Sequence, residues 1–141
     1  MATDSYKFPP QKQDSQPGKE HVMNPRPQPF NPEYKPSNKL QGMVALVTGG
    51  DYGIGRGLCI YFAKEGAKVA FTYVKDHEEK DMDETWQMLM EAKTPDARAP
   101  MAITADIGYE ENCKKVVEEV VKEQDRYPGE QCCRAALRQL R

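Results

Sequence analysis

The sequence predicts an α/β fold, a doubly wound parallel sheet represented by three strand–helix units, and three observations carry this. Short apolar runs, MVALVT (43–48), AKVAFTYV (67–74) and MAITA (101–105), alternate with segments of helical period. Strands and helices that alternate over short links build parallel sheets with right-handed crossovers. The first run passes directly into TGGDYGIGRG (48–57), in which five of ten residues are glycine. Residues 1–38 differ from everything after them, holding eight of the 11 prolines.

Proline fixes φ and removes a backbone donor, so 1–38 forms neither helix nor interior strand. The segment reads as a disordered tail. Tyr6, Phe8, Val22, Met23, Phe30 and Tyr34 are spaced through it, and an extended arm laid across a partner subunit, the second reading, would use such anchors. Residues 43–48 are a continuous apolar run, the pattern of a strand buried on both faces. Helix follows over 53–65, with Ile54, Leu58, Tyr61 and Phe62 as its apolar face and Gly66 as its stop. The second strand, 67–74, is rich in β-branched and aromatic residues. Residues 77–93 form the second helix: Met82, Trp86, Leu89 and Met90 make its stripe, and acids crowd the half that the dipole favours. The third strand, 101–105, leads to a helix over 109–123 carrying Cys113, Val116, Val117, Val120 and Val121. The expected strand order is 3-2-1, one half of a Rossmann-like nucleotide-binding fold. The chain thus divides into a Pro-rich arm (1–38), this half-fold (39–126) and a tail (127–141).

In such a fold the turn after the first strand faces the ligand crevice. Gly49 permits a sharp exit from the strand. Gly53 opens the helix, so that bare N–H groups and the positive helix end face a pyrophosphate. Gly55 lets the helix press on the first strand. Arg56 lies beside the helix start, toward the phosphate or toward solvent. The pattern T-G-x-x-x-G-x-G, made by Thr48, Gly49, Gly53 and Gly55, points to a dinucleotide because a strand precedes it and an amphipathic helix follows.

Composition excludes several classes. Twenty basic residues against 22 acidic ones give no nucleic-acid footprint. No apolar stretch approaches the roughly 18 residues of a membrane span. The start lacks an apolar signal core, and Asp4, Asp14 and Glu20 argue against a transit peptide, so a cytoplasmic location is expected. The four cysteines follow no metal spacing; Cys59 and Cys113 read as small hydrophobes.

The glycine pattern resembles the short-chain dehydrogenase/reductase family. QPGKEHVMNPRPQPFNPEYKPSNKLQGMVALVTGGDYGIGR, EGAKVAFTYVKDHEEKDMDET and MAITADIGYEENCKKVVEEVV are similar to its plant glucose and ribitol dehydrogenase branch, the Pro-rich arm included. The resemblance implies NAD(P)-dependent oxidation of alcohols, polyols or sugars, in homo-oligomers. It implies that Gly49, Asp51, Tyr52, Gly53 and Ile54 line the pyrophosphate and ribose, with Gly55 behind them. Tyr73 would stand near the adenosine ribose, and Asp106 and Ile107 would bracket the adenine. Asp106 also suits an ordinary turn after a strand. Tyr52 departs from the family, which generally has Ser there. The choice of NAD or NADP stays open: no acid stands at Tyr73, and Lys75 suits either a 2′-phosphate or plain surface.

Hydride transfer from an alcohol needs an acid/base group over the nicotinamide. In this family that is a tyrosine four residues before a lysine, and Tyr-x-x-x-Lys occurs nowhere in these 141 residues. With suitable synonymous codons, the stretch 128–139 reads in the next frame as Leu-Val-Asn-Asn-Ala-Ala-Glu-Gln-His-Phe-Asp, the family's fourth strand and Asn-Asn motif. The expectation is a frame change near Asp125, a first strand left as an exposed apolar edge, and no turnover. The alternatives to an oxidoreductase are an inactive cofactor-binding fragment and a subunit-interaction piece.

Overall fold

A computed structural model describes residues 10–14, 18–75, 79–127 and the backbone of 131–133. The element order is a 3-10 turn (Glu20–Val22), β1 (Met43–Val47), α1 (Gly53–Lys64), β2 (Lys68–Tyr73), α2 (Glu79–Ala92), β3 (Met101–Thr104), α3 (Glu110–Asp125) and β4 (Gln131–Cys133). The sheet is ordered β3-β2-β1-β4. All pairs are parallel, with Val44 opposite Lys68, Ala70 opposite Met101 and Met43 opposite Gln131. β4 corrects one expectation: within the tail, three residues pair with β1 through Ala45 opposite Cys133, so β1 is an interior strand at its start. Residues 134–141 of the tail, and Tyr6 and Phe8 of the arm, lie outside the described residues.

Successive strand residues point to opposite faces, and each face has its own core. Val47, Val69 and Phe71 meet Cys59, Ile60 and Ala63 of α1 and Leu89 of α2. Val44, Ala70 and Ile103 meet Val116 and Val120 of α3.

Two helices are rotated from their expected stripes. On α1 the buried residues are Gly55, Arg56, Gly57, Cys59, Ile60 and Ala63, while Ile54 is 84% exposed. On α2 they are Asp81, Thr85 and Leu89, and Trp86 and Met90 face outward. The cause is polar: Arg56, Asp81 and Thr85 bond to one another between the helices, so each helix turns a charged or hydroxyl residue inward. On α3, Val117 and Val121 are exposed beside the buried Val116 and Val120.

Residues of the 18–42 segment pack along α1 of their own chain. Glu20 meets the start of α1 at Gly53. A Cβ on Gly57 would lie 2.6 Å from the Pro29 carbonyl. Asn31 donates its N–H to the Tyr61 hydroxyl at 2.9 Å, and Phe30 packs against the α1/α2 core. At the far end Tyr34 donates to the Glu65 carboxylate, which also accepts the N–H groups of Ser37 and Lys39.

These bonds have a pH signature. The Tyr34 hydroxyl, then the Lys39 N–H, hold the Glu65 carboxyl below its ordinary value of 4.5. A depressed carboxyl stabilises the fold above its unfolded pKa and loses that effect as pH falls through the folded one. Amide protection at Ser37 and Lys39 is therefore expected to be complete above pH 4.5 and to fade under more acid conditions. Hydrogen exchange with intrinsic rates divided out checks this, and protection that persists into strong acid would contradict it.

Candidate functional site

The glycine loop leaves the carboxyl end of β1 and is pinned to the neighbouring strand. Gly49 N–H donates to Thr72 Oγ1 and Gly50 N–H to the Thr72 carbonyl, both at 3.1 Å. The chain then doubles back tightly enough that a Cβ on Gly55 would sit 1.9 Å from the Gly49 carbonyl oxygen. Only hydrogen fits between helix and turn. Gly53, at φ 56°, begins the helix in the left-handed region that side chains avoid, and it is exposed. Exposed Gly53 and Ile54 thus begin α1 at the same sheet edge as Tyr73, which ends β2, and Asp106 and Ile107, which follow β3.

Side chains at that edge differ in reach. Tyr73 is half-buried at the end of β2, and Asp106 and Ile107 are exposed. The Ala105 N–H donates to the Tyr73 carbonyl at 3.0 Å, which keeps the two strand ends side by side. Asp106 Oδ1 accepts the Gly108 N–H at 2.9 Å and its carbonyl accepts Asn112 Nδ2, so the residue also builds the turn into α3. Tyr52 holds the N-cap position in extended backbone, and its side chain makes no capping bond.

Asp51 and Arg56 lie elsewhere than expected. Asp51 is fully buried, so its side chain is not presented to solvent at the loop. Burial, with the Asp51 charge beside it, pushes the Cys59 thiol well above its ordinary range, which leaves it an inert core group. Arg56 faces neither phosphate nor solvent; it is 1% exposed and joins three segments. Its Nε donates to the Asp51 carbonyl at 2.9 Å and to Thr85 Oγ1 at 2.7 Å. Nη1 donates to Glu20 Oε1 at 2.6 Å and Nη2 to the Asp81 carbonyl at 2.9 Å. Asp81 in turn accepts the N–H groups of Glu20 and His21, and Thr85 Oγ1 donates to the Asp51 carbonyl.

Glu20, Asp81 and Thr85 are the residues that sequence reading missed. The spacing of Asp81 and Thr85, one helical turn apart, was a usable signal, since residues four apart share a face. Glu20 gave none, standing 36 positions before Arg56 in a segment without periodicity.

A groove of about 430 Å³ runs between arm and α1, lined among others by Glu20, Pro27, Pro29, Gly53, Ile54 and Leu58. A smaller hollow of about 170 Å³ lies among Gly42, Met43, Gly66, Lys68 and Arg98. That is the amino edge of the sheet, away from the glycine loop.

The short chain dehydrogenase family profile matches residues 43–127. Over 114 residues the chain is 66% identical to glucose and ribitol dehydrogenase of Daucus carota, covering 81% of this chain and 39% of that protein. It is 63% identical over 111 residues to the chloroplastic NADPH-dependent aldehyde reductase 1 of Arabidopsis thaliana, covering 79% and 38%. Among solved structures, apo glucose dehydrogenase of Caenorhabditis elegans superposes with a TM-score of 0.54 at 25% identity, over 62% of this chain and 35% of that one. The chain therefore spans about two fifths of the length of the curated relatives it matches. No helix among the described residues is long and apolar enough to cross a membrane. With a glycine turn packed against its first helix, a parallel sheet in the order β3-β2-β1-β4 and a profile match across most of that sheet, the chain belongs to the short chain dehydrogenase family.

Proposed function

We propose that this chain is the dinucleotide-binding part of an NAD(P)-dependent oxidoreductase acting on an alcohol, polyol, sugar or aldehyde. The observation that carries the reading is the contact of Gly55 with the Gly49 carbonyl. It draws the positive end of α1 up to the carboxyl edge of the sheet, where an anion can meet the first-turn N–H groups that Glu20 leaves open. In this reading Gly49, Tyr52, Gly53 and Ile54 border the pyrophosphate and its ribose. Tyr73 stands beside the adenosine ribose, and Asp106 and Ile107 border the adenine. Asp51 acts from below, through the carbonyl that Arg56 and Thr85 hold. When bound, the dinucleotide supplies hydride transfer; these residues bind and orient it. The acid/base group that alcohol oxidation needs has no Tyr-x-x-x-Lys candidate in this sequence, so the activity expected of these 141 residues is binding without turnover.

Isothermal titration of NADP⁺ and NAD⁺ into the 141-residue chain tests this, with circular dichroism to establish that the chain is folded. Saturable binding of at least one dinucleotide, with no oxidation of glucose or ribitol, is the expected result. A folded chain that gives no saturable heat with either one sinks the reading.

A further inference from the structure

Helix α1 begins without a local cap, and a residue of the arm stands in for it. Short polar side chains at the N-cap ordinarily accept an N–H of the first turn; Tyr52 occupies that position and makes no such bond. Glu20 Oε2 instead accepts the Gly53 N–H at 2.5 Å, across 33 positions of sequence. We propose that Glu20 is a positioning residue for dinucleotide binding, capping α1 from the arm and fixing the glycine loop in the shape that accepts the pyrophosphate. The proposal rests on the dinucleotide reading above.

Three features make Glu20 a fixed part of the site. It is 4% exposed. Its own N–H is held by Asp81 Oδ2 at 3.2 Å, so α2 sets where its backbone lies. Its second carboxylate oxygen, Oε1, accepts Arg56 Nη1 at 2.6 Å. Arg56 also holds the Asp51 carbonyl, two residues before Gly53. The loop is therefore gripped on both sides of Tyr52, at Asp51 by Arg56 and at Gly53 by Glu20. A carboxylate at a helix N-terminus suits the dipole, and the guanidinium, which Glu20 shares with Asp81 and Glu84, offsets part of its charge. A second anion approaching the same turn then meets a partly compensated carboxylate instead of a bare one. The first turn of a helix presents several N–H groups without intrahelical partners; Glu20 engages the first of them, and the pyrophosphate addresses those that follow, at Ile54 and Gly55.

The alternative role for a carboxylate in this place is competition, in which Glu20 occupies the anion's seat and binding must expel it. The two roles predict opposite signs. The experiment compares the full chain with Glu20→Gln, Glu20→Gln/Tyr52→Ser and Tyr34→Phe. It reads NADP⁺ and NAD⁺ affinity by calorimetry and amide exchange across 53–57 by NMR. Glu20→Gln is expected to weaken binding about tenfold and to speed exchange at Gly53 by a similar factor, the scale of a lost cap. Adding Tyr52→Ser supplies a local acceptor for the same turn and is expected to restore most of the protection at Gly53, read without dinucleotide because Tyr52 itself borders the pyrophosphate in this reading, and it covers the case in which Glu20→Gln alone does not fold. Tyr34→Phe cuts the arm's bond at the opposite end of α1; it is expected to lower Tm while leaving affinity and Gly53 exchange within about twofold, since local perturbations at separated sites act independently. Unchanged or tighter binding in Glu20→Gln overturns the proposal, and tighter binding identifies a competitor. Equal losses in Tyr34→Phe overturn it too, because any loosening of the arm would then suffice. Should the parent chain bind neither dinucleotide, the cofactor reading is what fails; unchanged Gly53 exchange in Glu20→Gln would separately remove the cap.

Discussion

Arg56→Met is expected to destabilise the chain by about 3–5 kcal/mol, the cost of stranding a buried charge by removing its partner. The guanidinium is 1% exposed, and around it lie the Glu20 and Asp81 carboxylates, 4% and 0% exposed. Nη1 stands 2.6 Å from Glu20 Oε1, and Nη2 stands 3.7 Å from Asp81 Oδ1. Methionine fills much of the same volume but leaves both carboxylates without the cation. It also removes donors from the Asp51 and Asp81 carbonyls. Small domains hold only about 5–15 kcal/mol in total, so the cooperative urea transition should shift far toward low denaturant or vanish. Arg56→Lys is expected to fall between the two, because one ammonium cannot reproduce a planar fork that serves four acceptors. Glu20→Gln combined with Arg56→Met should recover part of the loss, since the pair is then removed together and the coupling is non-additive. A midpoint for Arg56→Met within about 0.5 kcal/mol of the parent, the scale of an ordinary surface change, would show that the cluster contributes little.

The same cluster marks where sequence reading succeeded and where it stopped. Strands and helices were legible because their signals are local. Continuous apolar runs located β1, β2 and β3, and Gly53 and Gly66 bracket α1, which ends at Lys64. The orientation of α1 and α2 was not legible, because hydrophobic periodicity assumes that apolar residues face inward. Here Arg56, Asp81 and Thr85 face inward, and the arm supplies a second surface that shields Leu58 and Tyr61 on the outer side of α1. The arm itself looked unstructured for a related reason. Its anchoring is carried by single residues, Glu20, Pro29, Phe30 and Tyr34, each meeting a partner far away in sequence. β4 escaped because three residues in a polar, cysteine-bearing tail show no strand period; what defines them is the open edge of β1. Gly49, Gly53 and Gly55 are legible as a spacing, Tyr73 as the end of a strand and Asp106 as a position just past one. The burial of Asp51 is not legible either, because a sequence gives the order of residues in a turn, not which way the turn rolls.

Gly55→Ala is the second substitution from which a large loss is expected, in binding as well as stability. Its Cβ would lie 1.9 Å from the Gly49 carbonyl oxygen, 2.8 Å from that residue's carbonyl carbon and 3.1 Å from Gly50 Cα. All three neighbours are backbone, and the turn that holds them is tied to Thr72 through both Gly49 and Gly50. No rotamer change can relieve the overlap, so helix and turn must part. Overpacking of a tight contact costs about 1–3 kcal/mol, and the displacement falls on the main chain proposed to receive the pyrophosphate. Dinucleotide affinity is therefore expected to drop below detection in calorimetry while helical content persists. Two other glycines supply the controls that separate sterics from backbone conformation. Alanine at Gly53, φ 56°, or at Gly42, φ 73°, meets nothing within 4 Å. Each should carry only the strain of a left-handed residue, about 1–2 kcal/mol. Gly42→Ala lies before β1, remote from the loop, and should leave binding intact; Gly53→Ala should weaken it less than Gly55→Ala. If Gly55→Ala bound the dinucleotide as well as Gly42→Ala does, the close seating of α1 on the Gly49 turn could not be what brings an anion to this edge of the sheet.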